Sequence, residues 1–355
     1  MKIRRRFITI RTPSISQAIS LTILVCLISA FTQAANAGTK TWSGGDRNDA
    51  NWTSNGNWAG IGGGGPNDDL IFPSGAARAT NNNDFPTNTS FKSLTFKGGG
   101  YVISGNQIFL ENGMTINRTD LKGPTDFNPN IILGSSQVWL STQGFINQNG
   151  VLNLNGQNLT VDGPSSLVMK GLITGSGTII KAGFGELVIN GNAAGFGTTI
   201  LNQGTVQVGG TLGHVGMNDG VLSGTGTVAS LFASPGVAGG KIAPGNGSGV
   251  VGTLSFTGLV SLNSTKSVSI DLKDFGNDLV KVTGSNLDLN SSNLELVLGF
   301  TPAVGRQFTI ISHAGAGSIT GQFSQGSAIV VNSQLFTITY GSNSVVLIAQ
   351  GPVVP

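Results

Sequence analysis

Residues 167–210 read LVMKGLITGSGTIIKAGFGELVINGNAAGFGTTILNQGTVQVGG, and this stretch decides the fold. Short runs of β-branched and aliphatic residues alternate with Gly, Asn, Ser and Thr, and the pattern continues to Phe256. Alternating apolar and polar residues are typical of strands that bury one face, whereas Gly and Asn are typical of tight turns. We therefore predict an all-β fold, a right-handed parallel β-helix (β-solenoid) of imperfect coils with β-rich terminal caps.

The dipeptide Gly-Thr recurs in the core of this pattern, beginning at positions 177, 204, 226 and 252, at intervals of 22 to 27 residues. One coil of a parallel β-helix needs two or three short strands with their turns, and it adds about 4.8 Å along the axis. The dipeptide is therefore predicted to mark successive coils. Alternation predicts these inward-facing side chains: Leu152, Leu154, Leu159, Val161, Ile179, Leu187, Ile189, Ile200, Val206 and Val208.

The composition supports a packed β protein rather than a fibrous or disordered one. Of the 355 residues, 55 are glycine, but no fixed Gly-X-Y period occurs, which excludes a collagen-like chain. Hydrophobic residues make up 39% and charged residues only 10%, whereas disordered chains combine low hydrophobicity with high net charge.

The first 37 residues have the pattern of a signal peptide. Five basic residues between Lys2 and Arg11 precede an apolar run from Ala18 to Phe31, and Ala35-Asn36-Ala37 provides the small-x-small cleavage pattern. The apolar run is short for a membrane span. We expect cleavage near Ala37 and a secreted or outer-surface protein without a transmembrane domain in the mature chain; an uncleaved N-terminal anchor is the alternative.

Removing this segment changes the charge and the cysteine content. The mature chain would hold 14 basic and 16 acidic residues, a net charge of −2, so we expect no nucleic-acid partner. The single cysteine, Cys26, lies in the predicted signal peptide, which excludes disulfides and thiolate metal sites from the mature chain.

Beyond the signal peptide, the pattern divides the chain into three parts: a unit rich in Trp, Gly and Asn at 38–100, a solenoid at 101–265 with its core at 167–256, and a β-rich closing region at 266–355. Trp42, Trp52 and Trp58 cluster in the first part. Their rings either cap the open end of the solenoid, as terminal units of repeat proteins must, or form a platform for carbohydrate. The last part either closes the solenoid or forms a small β-sandwich.

No catalytic, cofactor or metal site is predicted from motifs, and we expect no enzymatic activity. Gly-x-Ser-x-Gly and phosphate-loop motifs do not occur, and the core 167–256 holds only two acids, Glu186 and Asp219. His214 and His313 are far apart and interpreted as turn or surface residues. The acids Asp271, Asp274 and Asp278, with Asn277, suggest calcium as one interpretation and turns at strand ends as the other.

Residues 175–210 resemble the autotransporter-associated β-strand repeat, which has a Lys-x-Gly-x-Gly-x-Leu-x-Leu-x-Gly core and a Gly-Thr-Thr ending. The residues that carry the resemblance are Lys181, Gly183, Gly185, Leu187, Ile189, Gly191, Gly197, Thr198, Thr199, Gly204, Thr205, Val206 and Val208. Residues 239–254 (GGKIAPGNGSGVVGTL) resemble the Ala-Pro-Gly-Asn segment that follows such repeats. The resemblance implies a secreted or surface-exposed parallel β-helix, often with no known activity.

This chain departs from autotransporters in one respect, because its final region lacks the train of lipid-facing strands that forms a translocator barrel. We therefore expect a passenger-like protein without its own translocator. The function predicted is a structural or adhesive role at the cell surface, with extracellular matrix, glycan or a neighbouring cell surface as the partner. The alternative is an extracellular β-helix that binds or degrades polysaccharide.

Overall fold

The protein is described here by a computed structural model that covers residues 37–60, 62–120, 122–237, 239–247 and 249–353. Apart from Ala37, the predicted signal peptide lies outside these residues. The described chain is a parallel β-helix: strands from successive coils stack side by side in three faces, and their apolar side chains fill the space between the faces. The predicted fold class is confirmed.

Most coils contribute one short strand to each face. The first face contains strands Thr39–Trp42, Asp69–Phe72, Ser93–Phe96, Met114–Asn117, Gln137–Gln143, Asn158–Asp162, Thr178–Lys181, Val260–Ser261, Leu287–Asp288 and Ile319–Thr320. The second face contains Thr80–Asn83, Val102–Gly105, Thr125–Phe127, Ile146–Gln148, Leu167–Met169, Glu186–Ile189, Thr205–Val208, Val221–Gly224, Lys241–Pro244, Ser267–Lys273 and Asn293–Leu298. The third face contains Thr89–Phe91, Ile108–Leu110, Ile131–Leu133, Leu152–Asn153, Ile173–Thr174, Thr253–Phe256, Leu279–Val282 and Gln307–His313.

Three longer strands turn a corner and serve two faces each: Asn192–Leu201, Thr211–Met217 and Thr227–Ala233. Their first residues continue the third face, because Leu212 pairs with Val228 and Val228 with Phe256. Their last residues continue the first face, where Leu201 pairs with Met217. Parallel pairing thus continues through these coils, with a register shift between Ala193 and Thr198 in the first of the three strands.

The coils differ in length, and this corrects the predicted register. Val206 pairs with Leu222, a coil of 16 residues, whereas Ile242 pairs with Val268, a coil of 26 residues. The threonines of the four Gly-Thr pairs do not lie above one another: Thr178 is on the first face, Thr205 on the second, and Thr227 and Thr253 on the third. Gly-Thr therefore marks the start of strands and not the start of coils.

Nine of the ten predicted inward side chains are fully or almost fully buried: Leu152, Leu154, Leu159, Val161, Ile179, Leu187, Ile189, Val206 and Val208. The prediction for Ile200 is wrong, since it lies partly exposed while its neighbours Thr199 and Leu201 face inward. Ile200 pairs with Ile180, which is also only partly buried, so both are apolar residues at outward positions of the first face.

A column of glycines lines the corner between the second and third faces. The column consists of Gly150, Gly171, Gly191 and Gly210, each lying directly against a backbone carbonyl of the preceding coil. A Cβ atom on Gly171 would stand 1.8 Å from the Gly150 carbonyl oxygen, and one on Gly191 would stand 1.9 Å from that of Gly171. Only a residue without a side chain lets the coils approach this closely.

Antiparallel strands complete the C-terminal end. Strand Ser344–Pro352 pairs with both Gln307–His313 and Gln334–Tyr340, and the latter pairs with Ala328–Val331. The last second-face strand is covered differently: the Gln325 side-chain amide accepts a hydrogen bond from the Leu294 N–H and donates one to the Leu294 carbonyl, both at 3.0 Å.

The remaining regular elements of the described chain are short. A 3₁₀ turn at Asn55–Asn57 leads into strand Trp58–Ala59, which is antiparallel to Thr39–Trp42, and strand Gly276–Asn277 forms a hairpin with Ser267–Lys273. Within the described ranges, no helix has the length and apolar character needed to cross a membrane.

Candidate functional site on the second face

A polar groove lies on the outer side of the second face, across the strands of six successive coils. Since Leu187, Val206 and Leu222 face the core, the residue that precedes each of them on its strand faces outward. One outward row, in register from coil to coil, consists of Glu186, Thr205, Val221, Lys241, Ser267 and Asn293. The groove encloses about 380 Å³ and runs along the solenoid axis.

The wall of the groove is the hairpin formed by Ser267–Lys273 and Gly276–Asn277. Its tip, Asp274-Phe275, extends from the solenoid, and the Phe275 ring is 81% exposed. Arg306 anchors the tip through an ion pair with Asp274 at 2.8 Å. The Asn277 side chain donates a hydrogen bond to the Thr309 carbonyl at 2.8 Å. These contacts hold the hairpin in place beside the groove.

The charges of the groove are unequal. Four carboxyl groups line it, those of Glu186, Asp271, Asp278 and Glu295, against one ammonium group, that of Lys241. Lys241 already pairs with Glu295 at 2.5 Å. Burial alone would raise the pKa of Glu295, but hydrogen bonds and the charge of Lys241 bring that pKa below its usual value. The groove is therefore acidic.

Glu186 is the carboxyl group without a partner in this groove, since no hydrogen bond or ion pair of its side chain occurs in the part of the chain described. It lies partly buried, and burial raises its pKa. A half-desolvated carboxylate is stabilised by any hydrogen-bond donor that a ligand brings.

Asp271 and Asp278 fix the base of the hairpin rather than project into solvent. The Asp278 carboxylate accepts hydrogen bonds from the backbone N–H groups of Asp271 at 2.9 Å and Gly252 at 2.8 Å. Asp271 accepts one from the Gly249 N–H. Burial raises the pKa of Asp278 to about 6; the two N–H bonds oppose the shift, and the Asp271 carboxylate adds to it.

The same three acids were one basis for predicting calcium. In the structure Asp274 lies at the hairpin tip with Arg306, whereas Asp271 and Asp278 lie at its base. Among the described residues, no group of three or more His, Cys, Asp or Glu side chains is placed to hold a metal ion. The interpretation as strand-end turns fits this arrangement.

We expect the contribution of Asp278 to folding stability to fall as the pH rises from about 4 to 6, because Asp278 binds its proton more tightly in the folded state. The contribution is largest below pH 4, and roughly 3 kcal/mol of it is lost above pH 6. Urea unfolding of wild type and Asp278→Asn at pH 4 and pH 7 measures the difference. The variant should lose this dependence while Asp274→Asn retains it; equal pH profiles for all three proteins would contradict the assignment.

The three N-terminal tryptophans lie far from this groove, inside the first coils. Trp42 and Trp52 are fully buried and Trp58 is 3% exposed. Their indole N–H groups donate to the Arg78 carbonyl, the Asn81 side chain and the Trp52 carbonyl, each at 2.7 Å. Their ring faces contact one another and Phe72. Contact with carbohydrate stays a prediction, and it would require the first coils to open.

Neither histidine belongs to the groove. His214 Nδ1 lies 2.5 Å from the Ser230 hydroxyl on the adjacent first-face strand, and Ser230 is almost fully buried. His313 Nε2 lies 2.7 Å from the Ser285 carbonyl. The Ser230 hydroxyl is buried, and within the described ranges no carboxyl group bonds to the His214 ring. The contact is therefore a cross-strand hydrogen bond and not a nucleophile with its base.

Two buried lysines bind backbone carbonyl groups at corners of the solenoid and do not line the groove. Lys181, a residue of the repeat motif, donates to the Gly183 carbonyl, and burial lowers its pKa to about 8. Lys266 donates to the carbonyls of Asn218 at 2.6 Å and Val237 at 2.8 Å. Each ammonium group satisfies turn carbonyls that the ladders leave unpaired.

Sequence reasoning missed the groove as a site. Glu186 was noted only as one of two acids in the core, and Glu295 and Lys241 were not singled out. The available signal was the outward residue of each second-face strand, which is polar in most coils. No family model matches this chain, and no curated protein matches it.

Proposed function

We propose that the protein is a secreted or cell-surface β-helix with a structural and adhesive role, and that it attaches to a polymer through its second face. The observation that carries the proposal is the outward row of mostly polar side chains that repeats in register in six consecutive coils. The partner is extracellular matrix, a glycan or the surface of a neighbouring cell.

Regular spacing is the reason that a polymer suits this surface. Strands of adjacent coils stand about 4.8 Å apart, so equivalent side chains repeat along the axis at that interval. A chain of similar repeat can make the same weak contact several times, and affinity then comes from many contacts at once. The antiparallel C-terminal strands and the N-terminal tryptophans complete the two ends of a scaffold that holds this surface rigid.

The resemblance to autotransporter-associated repeats supports a passenger-like protein outside the cell. It rests on residues 175–210 and 239–254, and membership of that group stays a proposal. Secretion is likewise proposed, from the signal-like residues 1–37.

A second candidate is an extracellular β-helix that binds or degrades polysaccharide, favoured by the carboxyl groups in the groove. Hydrolysis of a glycosidic bond needs one carboxyl group as acid and another as base or nucleophile. Asp278 and Asp271 are committed to backbone N–H groups. Glu186 and Glu295 lie at the two ends of the groove, five ladder steps or about 24 Å apart, which is too far for one catalytic pair. The groove therefore favours binding over cleavage. Release of reducing ends from a bound polymer would favour this candidate.

The mature chain, residues 38–355, is expected to sediment with at least one insoluble matrix or polysaccharide and to remain in the supernatant without it. The measurement is a pull-down on a panel of purified polymers and fixed cells, with albumin as the control for passive adsorption. Retention without release of reducing ends supports the adhesive role. Absence of retention on every member of the panel would exclude it.

A further inference from the structure

We propose that the second-face groove binds an uncharged, hydroxyl-rich polysaccharide chain along the solenoid axis, and that it rejects polyanionic glycans. The inference rests on the proposed function, because it names the ligand class of the same surface. Three features carry it: the groove's acidic lining, its mixed polar and apolar floor, and the exposed ring at the tip of the hairpin whose base lines the groove.

The acidic lining selects against anions. With four carboxyl groups and one ammonium group that is already paired, the groove repels a polyuronate or a sulfated glycan. Hydroxyl groups carry no charge and donate hydrogen bonds, which the partnerless Glu186 carboxylate can accept. The same lining is therefore compatible with a neutral sugar chain.

The floor combines polar and apolar side chains. Thr205, Gln207 and Ser223 provide hydroxyl and amide groups, while Val221, in register with Thr205, and Ala243, in register with Ser223, provide apolar surface. A sugar ring has the same division, with hydroxyl groups at its rim and C–H groups on its faces. Hydrogen bonds and apolar contact can therefore be satisfied together along the groove.

The hairpin beside the groove carries an aromatic ring. Phe275 is 81% exposed at its tip, although burial of such a ring is the norm. The preceding residue, Asp274, forms an ion pair with Arg306, which packs over the rings of Phe300 and Phe308. An exposed ring at this tip is available to cover the apolar face of a sugar.

The test compares retention on cellulose, an uncharged hexose polymer, with retention on agarose-coupled polygalacturonate. Thr205→Trp fills the floor of the groove, and Thr160→Trp places the same residue at an outward, half-buried position on the first face. We expect Thr205→Trp to weaken binding to cellulose at least tenfold and Phe275→Ala to weaken it roughly fivefold, whereas Thr160→Trp binds like wild type.

Charge is tested separately. Wild type should not bind polygalacturonate at low salt, and the double variant Glu186→Gln with Glu295→Gln should gain measurable retention on it. Wild type bound to polygalacturonate as well as to cellulose would overturn the selectivity. Cellulose binding unchanged in Thr205→Trp would overturn the groove as the site and leave the adhesive role standing, whereas a wild type that binds no polymer or cell surface overturns the adhesive role itself.

Discussion

Replacing Trp52 by alanine is expected to lower the free energy of unfolding of the N-terminal coils by about 3 to 5 kcal/mol, the range for removing a buried aromatic side chain. The ring is fully buried and lies 5.6 Å from the Phe72 ring, 5.5 Å from that of Phe91 and 6.1 Å from that of Trp58. Its indole N–H donates to the buried Asn81 side chain, which alanine leaves unpaired.

Urea unfolding followed by near-ultraviolet circular dichroism measures this effect, with hydrogen exchange to locate it in the first coils. Phe184→Ala is the control, because its ring is 77% exposed and should change stability little. Trp52→Phe separates packing from the hydrogen bond, since it keeps most of the ring volume and removes the N–H. A loss below about 1 kcal/mol for Trp52→Ala would mean that the tryptophans do not stabilise this end.

Replacing Gly171 by alanine is expected to separate two coils locally and to cost about 3 kcal/mol or more. Its Cβ atom would lie 1.8 Å from the Gly150 carbonyl oxygen and 2.5 Å from the carbonyl carbon, and neither backbone atom can rotate away. The clash can be removed only if the corner between the second and third faces opens. Opening lengthens the hydrogen bonds between the strands on both sides of the corner.

Gly195→Ala is the matched control for this substitution. No atom would lie within 4 Å of its Cβ, and so it should be neutral or stabilise by up to about 1 kcal/mol. Both variants can be compared by thermal unfolding and by protection from hydrogen exchange of the Lys170 amide, which donates to the Gln148 carbonyl, and of the Leu152 amide, which donates to the Leu172 carbonyl. Equal stability of the two variants would show that the glycine column tolerates wider coil spacing.

The fold class and most core positions could be predicted from the sequence because both depend on local alternation. Leu187 and Ile189, for example, face inward because apolar and turn-forming residues alternate within the few residues around them. Ile200 shows the limit, since it is an apolar residue at an outward position, whereas the polar Thr199 beside it faces the core. Hydrophobicity alone therefore misplaces Ile200, and only its pairing with the outward Ile180 shows the correct face.

The site depends on stacking, and stacking depends on coil length. Glu186 and Glu295 lie in one groove although they are far apart in the sequence, because the second-face strands stay in register from coil to coil. The coils between them differ in length, so the spacing of residues in the sequence does not show this. The interval between Gly-Thr pairs does not give the length of a coil, because the four pairs begin strands on three different faces. Only the paired strands show which outward residues share a row.

The Gln325 side chain at the last second-face strand has a consequence for assembly. A β-helix that ends in a bare strand offers a template to the next molecule, and repeated addition of that kind produces fibres. Gln325 forms with Leu294 the two hydrogen bonds that an incoming strand would form there, and Asn332 donates to the Leu298 carbonyl at 3.3 Å. End-to-end addition of a strand at Leu294 would therefore first have to displace the Gln325 amide, which places a cost on assembly through this end of the second face.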